Sequence, residues 1–247
     1  MRIFGLIGFP LTHSFSKRYF TEQFEREGTA DAKYELFSLE NITGLVPLLA
    51  REPGLTGLNV TIPHKVNVLP YLDELDAAAA EIGAVNCISI KFVDQKPYLK
   101  GYNTDAYGFA ESLKPLLKAH HTKALILGNG GAAKAVKYML GQLGITYQLV
   151  VRTPAPGAIT YDEVTPELMS THQVLINTTP LGMYPDITVA PSLPYHLITH
   201  DHVAYDLIYN PEETAFLQKA KAQGATIKNG MEMLHLQADR SWEIWNT

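Results

Sequence analysis

Thr122-Lys123-Ala124-Leu125-Ile126-Leu127-Gly128-Asn129-Gly130-Gly131-Ala132-Ala133 is an apolar run of strand length that breaks on glycine and resumes with helical spacing. In that setting each residue type has a physical task. The first glycine permits a tight turn, and the second lets the backbone approach a pyrophosphate. A small residue near the third position lets helix and strand pack closely, while the helix N–H groups face the anion. Without its flanks a G-x-G-G run is any tight βα turn. With them, Gly128, Asn129, Gly130, Gly131 and Ala132 are candidate dinucleotide contacts. The following helix is expected to carry Ala132, Val136, Met139 and Leu140 on one face.

The next strand, Tyr147–Val151, ends in Arg152-Thr153. An NAD enzyme usually has an acidic residue about twenty positions on, bound to the ribose hydroxyl. A guanidinium there holds a 2′-phosphate through charge-assisted bonds, and so favours NADP over NAD. The bland alternative is an exposed loop arginine. Further strands are read at Val174–Ile176, Val203–Tyr205 and Thr226-Ile227. A last helix from about Met231 carries Leu234, Ala238, Trp242 and Trp245 along one stripe. Thr153–Gly157 and Pro185–Pro194 read as loops.

Upstream, the first hundred residues alternate. Residues 2–8, 33–39 and 84–90 look like strands, with another running into Asn59. Helices are expected from near Ser16, from Asn41, and over Asp73–Glu81, and the run Phe109, Leu113, Leu116, Leu117 has helical period. Alternating strands and helices imply βα units on a mainly parallel sheet.

Asn59-Val60-Thr61-Ile62-Pro63-His64-Lys65 ends a strand and places a lysine where a helix can start. Asn and Thr just upstream make a poor core but a good grip on a small polyhydroxylated ligand. Asp105, in Gly101-Tyr102-Asn103-Thr104-Asp105, is the second candidate. Oxidising a secondary alcohol needs proton loss from oxygen as well as hydride loss from carbon. A lysine in a partly dry site can move that proton, and a carboxylate can fix its position. Each has an ordinary reading too: Lys65 as a solvated helix-start residue, Asp105 as a helix N-cap before Ala106. Together the features suggest a two-domain dehydrogenase for a small hydroxy acid.

Composition narrows the class. The chain has 247 residues and a net charge of −5 at pH 7, with no Lys/Arg-rich stripe to suggest a nucleic-acid partner. Its single cysteine, Cys87, forms no internal disulfide, in keeping with a reducing compartment. The apolar start Met1–Gly8 is too short for a signal peptide, and no run of about 18 apolar residues spans a membrane. A cytoplasmic location is expected. The nine histidines form no metal-ligand pattern, and no metal is expected.

The chain resembles the shikimate dehydrogenase family in segments that run nearly end to end. They are His13-Ser14-Phe15-Ser16, Asn59–Lys65, Gly83-Ala84-Val85-Asn86, Asn103-Thr104-Asp105, Gly128–Ala132 and Arg152-Thr153. Asn177-Thr178-Thr179-Pro180-Leu181-Gly182-Met183, Asp206-Leu207-Ile208-Tyr209-Asn210-Pro211 and Gly230-Met231-x-Met233-Leu234-x-x-Gln237 continue the series. The resemblance implies a two-domain α/β fold: a substrate domain over 1–104, completed by the helix 231–247, and a doubly wound, Rossmann-type NADP domain over 105–230. It implies reversible reduction of 3-dehydroshikimate to shikimate by NADPH, with Lys65 and Asp105 as the catalytic pair. Ser14, Ser16, Asn59, Thr61, Asn86 and Gln237 would surround the carboxylate and hydroxyls of the substrate, with Tyr209 as a wall. Hydroxyls and amides suit a carboxylated triol because they both donate and accept. Thr178, Thr179, Leu207, Gly230 and Met231 would join the glycine turn, Arg152 and Thr153 around the cofactor. The implied partner is a small molecule, and the implied assembly a monomer or homodimer.

Departures from the family pattern are Lys17 for proline, Val151 for asparagine and Cys87 for threonine. The chain is also shorter than many members, and a trimmed C-terminal helical region is expected. Three other readings stay open. One is a broader quinate/shikimate dehydrogenase that tolerates NAD. Another is a dehydrogenase on a similar frame, such as a methylene-tetrahydrofolate enzyme, which Ser14, Ser16 and Gln237 disfavour. The third is a non-catalytic sensor, whose signature would be loss of Lys65 or Asp105.

Overall fold

A computed structural model describes residues 1–247 except Thr12, His13 and Gln95. His13, in the first of the family-like segments, is thus outside the described residues. The chain divides into two compact units, Met1–Thr104 with Ala238–Thr247, and Asp105–Gln237.

The first unit contains β1 (Arg2–Gly8), α1 (Phe15–Glu27), β2 (Ala32–Ser38), α2 (Leu45–Arg51) and β3 (Leu55–Val60). It continues through α3 (His64–Asn67), β4 (Glu74–Leu75), α4 (Ala77–Ile82), β5 (Cys87–Val93) and β6 (Lys96–Tyr102). The strand order is β2-β1-β3-β5-β6-β4. β1 pairs parallel with β2 and β3, and β4 with β6, whereas β5 runs antiparallel to both β3 and β6.

Two local expectations are corrected here, and one strand is added. The segment Asp73–Glu81 is not one helix, because Asp76 N-caps α4 by accepting from Ala79 N at 2.9 Å and leaves Glu74–Leu75 to pair with β6. The strand expected over 84–90 starts at Cys87 instead. Val85 N is bonded away from the sheet, to Lys65 O in the α3 turn, and the chain meets its neighbours β3 and β6 only from Asn86 on. The sequence reading did not anticipate β6, whose charged outer positions hide its alternation.

The second unit holds α5 (Thr104–Leu113), which opens at the boundary, then β7 (Lys123–Leu127), α6 (Gly131–Gln142), β8 (Thr146–Val151) and β9 (Ala158–Thr160). After these come α7 (Pro166–Thr171), β10 (Val174–Asn177), β11 (Val203–Asp206), α8 (Ala215–Lys221), β12 (Thr226–Lys228) and the start of α9 (Met231–Trp245), which from Ala238 on belongs to the first unit. Its sheet is all parallel in the order β12-β11-β10-β7-β8-β9, with apolar clusters on both faces. This is a doubly wound α/β arrangement. Ala132 is exposed, against expectation. Because α6 starts at Gly131, its 3.6-residue period turns Ala133, Val136 and Leu140 inward instead.

His202 closes the far end of this sheet. Its buried ring donates from Nε2 to Met169 O at 2.9 Å and accepts at Nδ1 from Thr199 N at 3.0 Å. Burial lowers its pKa below the usual imidazole value, because a charged ring loses water there. The unfolded chain therefore binds more protons in acid, and the stabilisation held above about pH 6.5 is lost as pH falls through the folded value. We expect the thermal midpoint to drop between pH 7.5 and 5, and to drop less in His202→Gln. Parallel midpoint–pH curves for the two proteins would remove His202 from the acid response.

Candidate active site

In the first sheet the strand order reverses between β1 and β3, and ligands of open α/β sheets bind outside the carboxyl ends of strands at such a point. The chain leaving β1 carries Ser14 and Ser16, and the chain leaving β3 carries Thr61 and Lys65. Ser14 N-caps α1, its hydroxyl accepting from Lys17 N at 3.3 Å. The two outgoing segments are pressed together. Thr61 N donates to Ile7 O at 2.9 Å, and a Cβ on Gly8 would collide with Thr61 Cγ2 and Ile62 O. Lys65 sits half-buried in α3, with its carbonyl accepting from Val85 N at 2.8 Å. Beside it, the buried His64 ring donates from Nε2 to Leu39 O at 2.6 Å, which ties this turn to the end of β2.

Under these segments runs a buried polar network. Tyr34 OH donates to Asn59 Oδ1 at 2.7 Å, and Asn59 Nδ2 donates to Ser241 Oγ at 3.0 Å. Asn86 Oδ1 accepts from Thr104 N at 2.6 Å while its Nδ2 donates to Thr104 Oγ1 at 2.9 Å. Ser241 and Thr104 join the two halves, their hydroxyls 3.2 Å apart. Ser16 hydrogen-bonds the same Tyr34 phenol, and burial holds that phenol well above its ordinary pKa, so it stays a neutral donor. Asn59 and Asn86, at 5 % and 4 % exposure, are thus oriented before any ligand arrives. The second Asn59 amide contact, to Asn86 O at 3.4 Å, is weak enough for a ligand acceptor to replace.

In the second unit Asp105 lies within the first turn of α5 and not at the N-cap of its ordinary reading, because the helix already starts at Thr104. Gln237 is 8 % exposed and donates from Nε2 to Leu234 O at 2.8 Å, so it is not a surface position of its helix. Tyr209 and Met231 are exposed at 38 % and 37 %.

The candidate cofactor residues gather at the carboxyl ends of β7, β8, β10 and β11. The order reverses between β7 and β10, giving this sheet its own switch point. Gly128 has φ +99°, and a Cβ there would stand 2.8 Å from Thr179 Cγ2. Gly130 N-caps α6 and Gly131 opens it, yet a Cβ on either would meet no atom within 4 Å. Packing therefore does not require those two glycines. A ligand lying against the backbone and the N-terminus of the 12-residue α6 would require them. Asn129 accepts at Oδ1 from Lys137 Nζ at 3.0 Å. Arg152 and Thr153 are exposed just past β8, and the guanidinium has no ion pair among the described residues. Thr178 donates from N and Oγ1 to Leu127 O, at 3.0 and 2.8 Å. Leu207 O lies where a Cβ on Gly230 would be, so those backbones touch. This donor set fits a dinucleotide with a 2′-phosphate: glycines and helix N–H groups for the pyrophosphate, and the Arg152 guanidinium for the extra charge.

A doubly wound unit with such a turn, joined to a second α/β unit lined with amides, hydroxyls and a lysine, defines a nicotinamide-dependent oxidoreductase of a small polar substrate. The family model for the shikimate dehydrogenase substrate binding domain matches residues 6–88. The shikimate dehydrogenase (NADP(+)) of Methanosphaera stadtmanae is 35% identical, over 98% of this chain and 90% of its own length. A crystal structure of shikimate dehydrogenase from Aquifex aeolicus aligns with a TM-score of 0.84 at 35% identity, covering 100% of this chain and 92% of that one. The shikimate 5-dehydrogenase of Thermus thermophilus, solved with NADP(H) and shikimate, gives 0.85 at 32% identity, covering 99% and 93%. The chain belongs to the shikimate dehydrogenase family. Among the described residues no helix is long and apolar enough to cross a membrane.

Tyr34, Ser241, Asp206 and Thr214 received no role from the sequence. A tyrosine in a strand and a serine in a helix look like packing and surface. Only their through-space partners reveal them.

Proposed function

We propose that this protein reversibly reduces 3-dehydroshikimate to shikimate with NADPH, a step of aromatic amino-acid biosynthesis. Residues 1–104, completed by the last helix, hold the substrate, and residues 105–230 hold the cofactor. What carries the reading is the coincidence, in one chain, of glycines without a packing reason at 130 and 131 and a pre-oriented amide and hydroxyl network around Asn59 and Asn86. Bound NADPH supplies the hydride. Lys65 gives a proton to the oxygen that was the ketone, and takes it back in the oxidation. Asp105 supplies the carboxylate that orients the transferring group. Ser14, Ser16, Asn59, Thr61, Asn86 and Gln237 hold the ring carboxylate and hydroxyls, and an analogue lacking one hydroxyl leaves buried polar atoms without partners. The chain acts in the cytoplasm as a monomer or homodimer.

The test is absorbance at the reduced-nicotinamide band, with shikimate or quinate crossed against NADP or NAD. Reduction confined to shikimate with NADP supports the reading. Comparable rates with quinate or NAD would move the protein to the broader-specificity class, and binding without turnover would make it a sensor. Arg152→Ala should raise the KM for NADP at least about tenfold, the loss of a charge-assisted pair, and leave the KM for NAD nearly unchanged. Equal effects on both cofactors would mean that Arg152 does not read the 2′-phosphate.

A further inference from the structure

Asp206 ends β11 with 0 % exposure, in the middle of the second unit. Its carboxylate collects donors from a strand end, a loop and a helix start. Asn177 Nδ2 and Ile208 N each reach Oδ1 at 3.0 Å, and Thr214 Oγ1 reaches Oδ2 at 2.6 Å. Thr214 also N-caps α8, accepting from Leu217 N.

Two of the three donors lead onward to segments that carry candidate cofactor residues. Asn177 Oδ1 accepts from Thr179 N at 3.0 Å and Thr179 Oγ1 at 2.7 Å. Thr179 in turn packs against Gly128. Leu207 N donates to Asn177 O at 3.1 Å, and Gly230 N to Ile208 O at 3.0 Å. One side chain thus ties together 177–179, 207–208 and, through Ile208, residue 230.

We propose that Asp206 is a positioning residue for the cofactor, clamping the loops that carry Thr178, Thr179 and Leu207 against the glycine turn. The inference rests on the assignment of those loops to NADP. Asp206 touches no reacting atom and acts through Asn177 and Ile208. Packing alone is a poor reason for it. Burial pushes its pKa up to about 6, against the pull of the Thr214, Ile208 and Asn177 bonds, whereas an apolar residue of similar volume would carry no such cost. An aspartate does what an apolar residue cannot, which is to hold donors from separate segments at one point.

Asparagine separates geometry from charge. In Asp206→Asn, Oδ1 still accepts from Asn177 and Ile208, and Nδ2 donates to Thr214 Oγ, whose hydroxyl accepts equally well. The experiment measures NADPH affinity by nicotinamide fluorescence, along with the KM values for NADP and shikimate and the thermal midpoint. Asp206→Ala should raise the dissociation constant for NADPH and the KM for NADP at least tenfold, with less than a threefold change in the KM for shikimate. Asp206→Asn should keep both cofactor constants within threefold of wild type. A role in stability alone would lower the midpoint and the active fraction of Asp206→Ala with unchanged cofactor constants, and would overturn the proposal. So would a tenfold loss in Asp206→Asn, which would make charge the operative property. If Asp206→Ala does not fold, Asn177→Ala probes the same clamp from the loop side. Its cofactor constants should rise tenfold, and unchanged constants would overturn the proposal. Wild-type protein that fails to bind NADPH at all would instead bring down the cofactor assignment beneath it.

Discussion

Lys65→Ala is expected to lower kcat by roughly 100- to 10,000-fold with a much smaller change in the KM for shikimate, the usual range for loss of a general acid–base group. The split follows from when the interaction matters. A proton donor to the ketone oxygen gains most as that oxygen becomes an alkoxide, so its removal costs the transition state more than the ground state. The loss corresponds to about 3–5 kcal/mol of barrier. The fold should not notice. The Lys65 carbonyl keeps its bond to Val85, the His64 anchor to Leu39 is untouched, and the side chain is not part of the core. Lys65→Arg is the informative companion. It keeps the charge but gives up a proton far less readily, so it should stay close to the alanine variant in kcat. Single-turnover reduction with pre-bound cofactor isolates the chemical step. Near-normal kcat in Lys65→Ala would remove this lysine from the mechanism.

The sequence made the second unit legible more fully than the first, for a physical reason. A parallel sheet buried on both faces is written as short apolar runs punctuated by glycine, and β7, β8, β10, β11 and β12 all lie where such runs predict them. The hairpin of β5 and β6 obeys a different rule. Its pairing is set by a two-sided register, Cys87 with Tyr102 through Val93 with Lys96, and its outer residues are charged or exposed. No single window of sequence displays that pattern. The candidate site divides in the same way. Lys65, the glycine turn and Arg152 stand out as candidates because they follow strands β3, β7 and β8, where side chains are free of the core's demands. Tyr34 and Ser241 do not. The Asn59–Ser241 bond links positions 182 apart. Asp206 stood in plain view in its motif, yet its three donors come from separate places along the chain.

Gly57→Ala should be among the most damaging single-atom additions to the first unit. Gly57 lies in β3, paired with Phe4 on one side and Ser89 on the other, and its missing side chain faces the pyrrole edge of Trp245. A Cβ there would fall far inside contact distance of Trp245 Nε1, Cδ1 and Cε2. The indole has nowhere to go. It is 6 % exposed, stacks on Phe4 at 5.0 Å between ring centroids, contacts Phe20 at 5.3 Å, and donates from Nε1 to Ile88 O at 2.9 Å. Overpacking of this kind, together with the lost hydrogen bond, costs about 3 kcal/mol. That is a fall of roughly 10 °C in the midpoint of a unit this size. The damage should reach the site as well. Trp245 stands one turn beyond Ser241 on α9, so a displaced indole moves the hydroxyl that holds Asn59 and Thr104. The KM for shikimate should rise with the loss of stability. A double-mutant cycle tests the cause. Phenylalanine would set its ring where the pyrrole ring stands, so the partner is Trp245→Ala, which costs stability on its own but makes room for the new methyl group. Adding Gly57→Ala to Trp245→Ala should then cost less than about 1 kcal/mol. If the two losses simply add, the indole is not what the glycine makes room for, and the fault lies in the strand backbone instead.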